Sequence, residues 1–263
     1  MTWLHVARSD TPLLLAFPHG GTDLAGEGDG FRSHWWALRD TDWHIRRLYD
    51  GLVDATYVST DVSRSVIDCN RDPSGQSLYP GQATTGLCPS ETFDGDPLYR
   101  DGGAPDVPSR LARWFTPYHA ALESEIVRLR ARHRNVVLID CHSIRSRIPR
   151  LFDGDLPEFN IGTDGGRTCA PGLEAAVVEA CRARDHVLNG RFRGGWTTRH
   201  YGRPADGVHA LQLEIAMRAY LDEPLSSLGA GNWPPAWDAA RAEPVRNDLH
   251  RILTAANSFA KGR

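Results

Sequence analysis

A run of four aliphatic residues constrains the fold of this chain more than any other feature. Val136–Ile139 contains only valine, leucine and isoleucine, a composition typical of a strand that is covered on both faces of a sheet. The clearest amphipathic helix, over residues 111–132, comes directly before this run, with apolar residues at spacings of three and four. Because short strands and helices alternate along the chain, we predict an α/β fold in which helices flank a mixed, mostly parallel sheet.

The remaining elements are predicted from the same periodicities and from helix caps. Further strands are predicted over residues 13–17, 57–59, 65–68, 187–188 and 209–216. Helices are predicted after a cap at Thr41, which places Asp42 in the first turn, and over residues 173–183, from 217, and over 248–260. Residues 72–109 are rich in Gly, Pro, Asp and Ser, which indicates a loop-rich excursion that serves as a lid or an interface arm. No repeat or linker divides the chain, so we predict one domain over residues 1–263.

Charge and cysteine content exclude several classes of function. The formal net charge is −3, which argues against a general nucleic-acid or anionic-membrane partner. No apolar run approaches the roughly 20 residues of a membrane span, and the first residues have no signal-peptide core. The five cysteines contain no C-x-x-C pair, so we expect reduced thiols and a cytoplasmic protein.

Polar residues collect where the predicted strands end, which is where open α/β sheets form their sites. His19 follows the first apolar run, Asp140 and His142 follow Val136–Ile139, and Glu214 lies in the strand over 209–216. Two histidines and nearby acids indicate a site for a divalent metal, most simply zinc, in which one coordination position is left for a water molecule. Asp140 either orients the imidazole of His142 or caps the turn at Ser143.

A second polar cluster ends the strand predicted over 65–68. It contains Arg64, Asp68, Asn70 and Arg71. Two guanidinium groups and an amide at one sheet edge suit the binding of a carboxylate, because arginine forms paired hydrogen bonds with that group. The spacing taken alone favours the simpler alternative, in which Asp68 and Arg71 form an internal ion pair.

Nine short motifs occur in one order along the chain. They are Phe-Pro-His-Gly-Gly at 17–21, Asp-Thr-Asp-Trp-His at 40–44, Ser-Arg-Ser-Val-Ile-Asp-Cys-Asn-Arg at 63–71, Thr-Thr-Gly-Leu-Cys-Pro at 84–89, Asp-Cys-His-Ser-Ile-Arg-Ser at 140–146, Leu-Phe-Asp-Gly-Asp-Leu-Pro at 151–157, Asn-Gly-Arg-Phe-Arg-Gly-Gly at 189–195, Thr-Arg-His-Tyr-Gly at 198–202 and Leu-Gln-Leu-Glu at 211–214. In these motifs the chain resembles the N-formylglutamate amidohydrolase family from about residue 13 to about residue 220. The resemblance implies a hydrolase fold like that of zinc carboxypeptidases and aspartoacylases. It also implies hydrolysis of N-formyl-L-glutamate to formate and L-glutamate, the last step in one route of histidine breakdown.

The resemblance also implies a set of metal ligands. His19 and His142 resemble the two histidine ligands of a zinc site. Carboxypeptidase-like sites place an acid three residues after the first histidine, where this chain has Thr22. We therefore predict Asp42 as the third ligand, with Asp23 and Asp40 as the alternatives.

The remaining roles follow from the same resemblance. Glu214 resembles the general base, and Arg64 resembles the residue that polarises the scissile carbonyl. Asn70 and Arg71 resemble the clamp for a substrate carboxylate. Recognition of a small dianionic substrate is completed by three further residues, Arg191, Arg199 and His200.

Two other functions stay open at this stage. The same machinery would serve a deacylase of another N-formyl or N-acyl acidic amino acid, because the sequence does not measure the length of the pocket. A non-catalytic member that binds a metal or a carboxylate is the alternative from another class. Retention of both histidines, Glu214 and Arg64 argues against it.

Overall fold

All strands of the protein belong to one seven-stranded sheet in the computed structural model, which describes residues 2–77, 79–101, 103–224 and 227–262. In chain order the strands are β1 Leu4–Ala7, β2 Leu13–Phe17, β3 Thr56–Thr60, β4 Val136–Ile144, β5 Phe159–Gly162, β6 His186–Leu188 and β7 Val208–Ala216. Their order across the sheet is β1-β3-β2-β4-β7-β5-β6. The four central strands β3, β2, β4 and β7 are parallel, whereas β1 and β5 pair antiparallel to β3 and β7. The predicted mixed, mostly parallel sheet is confirmed.

Helices cover both faces of the sheet. In chain order they are α1 His34–Leu38, α2 Ile45–Tyr49, α3 Val107–Arg110, α4 Thr116–Arg130, α5 Pro171–Cys181, α6 Trp196–Tyr201 and α7 Ala239–Ala260. One π-helical turn, Leu111–Phe115, joins α3 to α4. Short 3₁₀ turns occur at Gly28–Gly30, Pro204–Asp206 and Met217–Ala219.

The side chains of β2 show how the central strands bury both faces. Leu13, Leu15 and Phe17 pack into one core with residues of α2, α5 and α7. Leu14 and Ala16 point the opposite way, into a second core that includes residues of α4. All five are fully buried. This two-sided burial explains why the central strands are continuous apolar runs without alternation.

Two predicted elements near the polar cluster are wrong. Residues 65–68 form a turn instead of a strand, because the amides of Val66 and Ile67 both donate to the carbonyl of Ser63. Thr41 does not cap α2, since the helix begins only at Ile45, after His44 in a left-handed conformation with φ of 60°. Asp42 therefore precedes the helix, and its carboxylate is available to other partners.

Several boundaries also differ from the predicted ones. The terminal helix begins at Ala239 instead of residue 248, because the carboxylate of Asp238 caps it. The helical pattern after residue 216 yields only the short turn at Met217–Ala219. Four observed elements, β1, β5, α1 and α6, were not predicted from the sequence. The described part of residues 72–106 has turns and isolated bridges, and α3 begins at Val107.

Two further findings concern the described residues as a whole. Within that part of the chain, no helix is both long enough and apolar enough to cross a membrane. None of the five cysteines forms a disulfide.

Candidate active site

Three parallel strands bring the predicted site residues to one edge of the sheet. His19 lies two residues after the end of β2, and Asp140 and His142 lie in the last half of β4. Glu214 lies near the end of β7, directly opposite His142 in the register of the two strands. The carboxyl ends of parallel strands meet at the same edge, so residues far apart in sequence converge here.

His19, Asp42 and His142 form a buried group with the geometry of a metal site. One possible ligand atom from each residue lies within 4.8 Å of the others. Oδ2 of Asp42 is 3.2 Å from Nδ1 of His142 and 3.8 Å from Nδ1 of His19. Nδ1 of His19 is buried and has no hydrogen-bond partner among the described residues. Two imidazole nitrogens and one carboxylate are a donor set that suits zinc, so the residues present fit a divalent ion.

A second carboxylate holds each imidazole from its other side. Nε2 of His19 is 2.6 Å from Oδ1 of Asp68, and Nε2 of His142 is 2.9 Å from Oδ2 of Asp140. Such outer carboxylates orient metal-binding histidines and fix their tautomer. The predicted contact of Asp140 with His142 is confirmed. The alternative cap is wrong, because the amide of Ser143 donates to Asp42 instead, over 3.0 Å.

The other two candidates for the third ligand lie outside this group. Asp23 is exposed, and its carboxylate accepts from the amide of Ala25. Asp40 is engaged elsewhere: Oδ2 accepts from the amide of Phe93 over 2.6 Å, and Oδ1 accepts from Arg145 over 3.2 Å. Only Asp42 of the three carboxylates faces both histidines.

Arg64 forms hydrogen bonds with two carboxylates that contact His19, those of Asp42 and Asp68. Its Nη1 donates to Oδ1 of Asp42 over 3.1 Å, and its Nη2 donates to Oδ2 of Asp68 over 2.8 Å. Burial alone would lower the pKa of Arg64, but the charges of Asp68 and Asp42 raise it above its usual value. The guanidinium is therefore a fixed positive charge beside the candidate metal group.

Asp68 has more partners than the simple ion pair considered from the sequence. Arg71 does lie 3.7 Å from its Oδ2. The same carboxylate also contacts His19 and Arg64 and accepts from the amide of Asn70 over 2.9 Å. Burial raises the pKa of Asp68, but the charges of Arg71, His19 and Arg64 outweigh it and hold the pKa well below its usual value. The internal pair with Arg71 is thus one contact of a wider network.

The side chain of Asn70 is engaged within the protein. Its Nδ2 donates to Oδ2 of Asp140 over 2.8 Å and lies 2.9 Å from Nε2 of His142. Its Oδ1 accepts from the amide of Thr197 at the start of α6 over 2.8 Å. Asn70 therefore ties the histidine group to α6.

Glu214 faces the same space from β7. It is buried, and its Oε2 accepts a hydrogen bond from Nε2 of Gln212 over 3.1 Å. Burial raises the pKa of Glu214 to about 7 from its ordinary value of 4.5. A carboxyl group with a pKa near neutrality is able both to accept and to release a proton at working pH.

His19, His142, Arg64, Asn70 and Glu214 open onto one narrow pocket with a cavity volume of about 50 Å³. Its lining comprises His19, Arg64, Asn70, Arg71, Tyr79, Ala83, Thr84, Thr85, Phe93, His142, Ile144, Leu151, Arg191, Phe192, Gly195, Gln212 and Glu214. Nε and Nη2 of Arg71 donate to Thr85, whereas Arg191 donates to the carbonyls of Ala83 and Leu151. Burial lowers the pKa of Arg191, and the nearby charge of Arg71 lowers it further.

Two predicted substrate residues lie outside the pocket lining. Arg199 donates through Nε to the carbonyl of Gly194, and its guanidinium lies over the ring of Tyr79 at 5.1 Å. His200 is exposed and stacks on the ring of Trp196 at 4.8 Å. Helix α6 turns Thr197 and Thr198 inward and His200 outward. The structure therefore does not bring Arg199 and His200 together with the other site residues.

Gln212, Tyr79 and Phe93 are among the pocket residues that the sequence interpretation missed. Gln212 precedes Glu214 by two positions on a strand, so both side chains point to the same face, and that spacing would have revealed it. Tyr79 and Phe93 come from the excursion at 72–109, where no periodicity indicates which side chains turn inward.

Two solved structures share the fold of this chain over nearly its whole length. The structure superposes on N-formylglutamate amidohydrolase from Ralstonia eutropha JMP134 with a TM-score of 0.79, 24% identity, and coverage of 100% of this chain and 99% of that chain. It also superposes on the gene product Atu2144 from Agrobacterium tumefaciens with a TM-score of 0.70, 18% identity, and coverage of 98% and 96%. At these identities the match establishes the fold.

The sequence comparisons establish the family. The model of the N-formylglutamate amidohydrolase family matches residues 11–221. The N-formylglutamate deformylase of Pseudomonas aeruginosa is 44% identical over 99% of this chain and 98% of its own length. The enzyme of the same name from Pseudomonas putida is 47% identical over 93% of this chain and 91% of its own length. This chain belongs to the N-formylglutamate amidohydrolase family, and the resemblance seen in the motifs is confirmed.

Proposed function

We propose that this protein is a metal-dependent deformylase that hydrolyses N-formyl-L-glutamate to formate and L-glutamate. One observation carries the proposal: the two histidines of the candidate metal group, a buried acid and three arginines all line one narrow pocket. The names of the Pseudomonas relatives, which are similar over nearly their whole length, support the choice of substrate.

His19, Asp42 and His142 are the residues that would hold the metal, which we take to be zinc. When bound, a divalent ion at this place supplies a Lewis acid and lowers the pKa of a water molecule toward about 7. Asp68 and Asp140 keep the two imidazole rings in position through their Nε2 atoms. The remaining steps belong to the protein's own side chains.

Glu214 is the proton carrier in this proposal. Its carboxylate takes a proton from the water that attacks the formyl carbon. It then returns that proton to the departing amine, as a general base followed by a general acid. Gln212 restrains the carboxyl group through the hydrogen bond to Oε2. The carbon–nitrogen bond breaks, and formate and the free amine of glutamate are released.

Arg64 stabilises the oxygen of the formyl group as it becomes negative. The guanidinium is held by Asp42 and Asp68 and also lines the pocket. Its position is therefore set before the reaction begins. Preorganised charge of this kind requires little reorganisation during the chemical step.

Arg71 and Arg191 bind the two carboxylates of the substrate. Both guanidinium groups line the pocket. Besides burial, the charge of Arg71 lowers the pKa of Arg191, because the two positive charges lie near each other. Because the formyl group is small, most of the binding energy has to come from the glutamate part. Two cations in one pocket match a dianion.

Formate release from N-formyl-L-glutamate tests the function directly. The purified protein is assayed as isolated, after removal of metal with a chelator, and after addition of Zn²⁺. We expect activity that disappears with the chelator and returns with the metal. N-formyl-L-aspartate and N-formyl-L-glutamine, measured beside it, separate the proposed substrate from other acyl amino acids. Metal binding without formate release from any of these substrates would favour a non-catalytic protein instead.

A further inference from the structure

Phe93 lines the pocket but has no role in the motifs or in the proposed function. It belongs to the excursion at 72–109, yet its ring is buried and lines the pocket. The centroid of the ring lies 4.8 Å from Cζ of Arg64. Phe93 therefore stands beside the guanidinium that faces the reacting carbonyl in the proposed mechanism.

The position of Phe93 is fixed from both its backbone and its ring. The amide donates to Oδ2 of the buried Asp40 over 2.6 Å, and Asp40 is itself paired with Arg145. The ring packs in a small apolar cluster with Ile144 and Ile148. A side chain held in this way is a wall of the pocket and cannot move aside at little cost in energy.

A second aromatic ring of the pocket lies beside Arg191. The guanidinium of Arg191 lies 5.3 Å from the ring of Phe192 and donates to the carbonyl of Leu151. Phe192 and Leu151 both pack against the apolar cluster that contains Phe93. In the proposed function Phe93 and Arg64 contact the acyl group, whereas Arg191 binds a glutamate carboxylate.

We propose that Phe93 restricts the acyl group to formyl, an inference that rests on the proposed function. The substituent on the acyl carbon is only two bonds away from the carbonyl oxygen that Arg64 contacts. It is a hydrogen in the formyl substrate and a methyl group in an acetyl substrate. The ring beside Arg64 occupies the space that this methyl group would need. A smaller residue at position 93 admits N-acetyl-L-glutamate to the same hydrolysis, in which water adds to the acyl carbon, the carbon–nitrogen bond breaks and acetate leaves.

The test is the ratio of kcat/KM for N-formyl-L-glutamate to kcat/KM for N-acetyl-L-glutamate. Phe93→Ala and the more conservative Phe93→Leu are compared with the parent enzyme, with metal content measured for each protein. One methyl group in an apolar pocket changes discrimination by about 10–200-fold. We expect the ratio to fall by at least about tenfold in Phe93→Ala and by less in Phe93→Leu.

Phe192→Ala is the matched control, because it removes another aromatic ring of the same pocket, one that lies beside Arg191 instead of Arg64. It weakens the binding of both substrates through Arg191 and leaves the ratio unchanged. The inference is overturned if the ratio stays at the parent value in both Phe93 variants while they still hydrolyse the formyl substrate. It is also overturned if Phe192→Ala lowers the ratio as much as Phe93→Ala does. A parent enzyme that releases no formate overturns the proposed function, and this inference with it.

Discussion

Replacement of Asp68 by asparagine tests how the candidate metal group is held together. Asp68 is fully buried, and its two oxygens contact His19 at 2.6 Å and Arg64 at 2.8 Å. Asparagine has nearly the same shape but carries no charge and presents an NH₂ group to one of these two donors. The substitution therefore breaks one contact and weakens the other.

The size of the effect follows from these two contacts. Loss of an outer partner of a metal-binding histidine costs about 10–100-fold in metal affinity, which corresponds to about 1.4–2.8 kcal/mol. Removal of one partner from a buried ion pair costs about 3–5 kcal/mol. Arg64 keeps its contact with Asp42. We therefore expect the free energy of unfolding to fall by about 3 kcal/mol, the lower end of this range.

Asp140→Asn is the control for this experiment. Asp140 contacts His142 but not Arg64, so its replacement lowers metal affinity and leaves the buried arginine with both partners. Metal affinity is measured by calorimetric titration of the metal-free proteins with Zn²⁺, and stability by urea unfolding. At saturating metal, Asp68→Asn still loses kcat through Arg64, whereas Asp140→Asn recovers most of it. An Asp68→Asn protein with the metal affinity and stability of the parent would refute the reasoning.

Three further substitutions test the other site residues. His142→Ala removes a proposed ligand from the buried group, so metal content by elemental analysis and formate release should both be lost; normal values of both would contradict the site. Asp42→Asn should lower Zn²⁺ affinity in the same titration, whereas the exposed Asp23→Asn should not, and the reverse result would assign the third ligand to Asp23. Glu214→Gln should retain the metal and lower kcat by about 10²–10⁴-fold, so a fully active variant would exclude Glu214 as the proton carrier.

The central strands of the sheet, and the sheet edge that carries the candidate site, were predictable from the sequence. The central strands are apolar runs, and their short length and aliphatic composition favour buried strands over helices. Once β4 and β7 are recognised, the rule that parallel strands end at the same edge brings His142 and Glu214 together. The choice of Asp42 as the third candidate ligand needed the family motif as well, because nothing in the spacing of Asp42 distinguishes it from Asp40.

Other parts of the site depend on backbone conformation that residue patterns do not encode. The turn at 65–68 resembles a strand in composition, but hydrogen bonds to the carbonyl of Ser63 close it, and this closure brings Arg64 and Asp68 together. Arg199 and His200 lie in a family motif but outside the pocket lining. A motif shows that a residue is shared with a family, but it does not show whether the side chain faces a pocket.

Gly195 offers a prediction that depends on close packing alone. A Cβ atom at this position would lie 2.3 Å from Nδ2 of Asn70 and 2.5 Å from its Cγ. The backbone of Gly195 has φ of −84°, which an alanine adopts without strain. The effect of Gly195→Ala therefore comes from the collision with Asn70.

The amide of Asn70 has no free direction in which to move. It is held by Asp140 on one side and by the amide of Thr197 on the other. A shift of Asn70 therefore disturbs the contact between Asp140 and His142, and a misplacement of about 1 Å in a reacting group is worth about 100-fold in rate. We expect Gly195→Ala to lose about that factor in kcat/KM for the formyl substrate. Gly231→Ala, where a Cβ atom meets nothing within 4 Å, should retain the activity of the parent. Equal activity in the two variants would show that Asn70 does not hold the site in position.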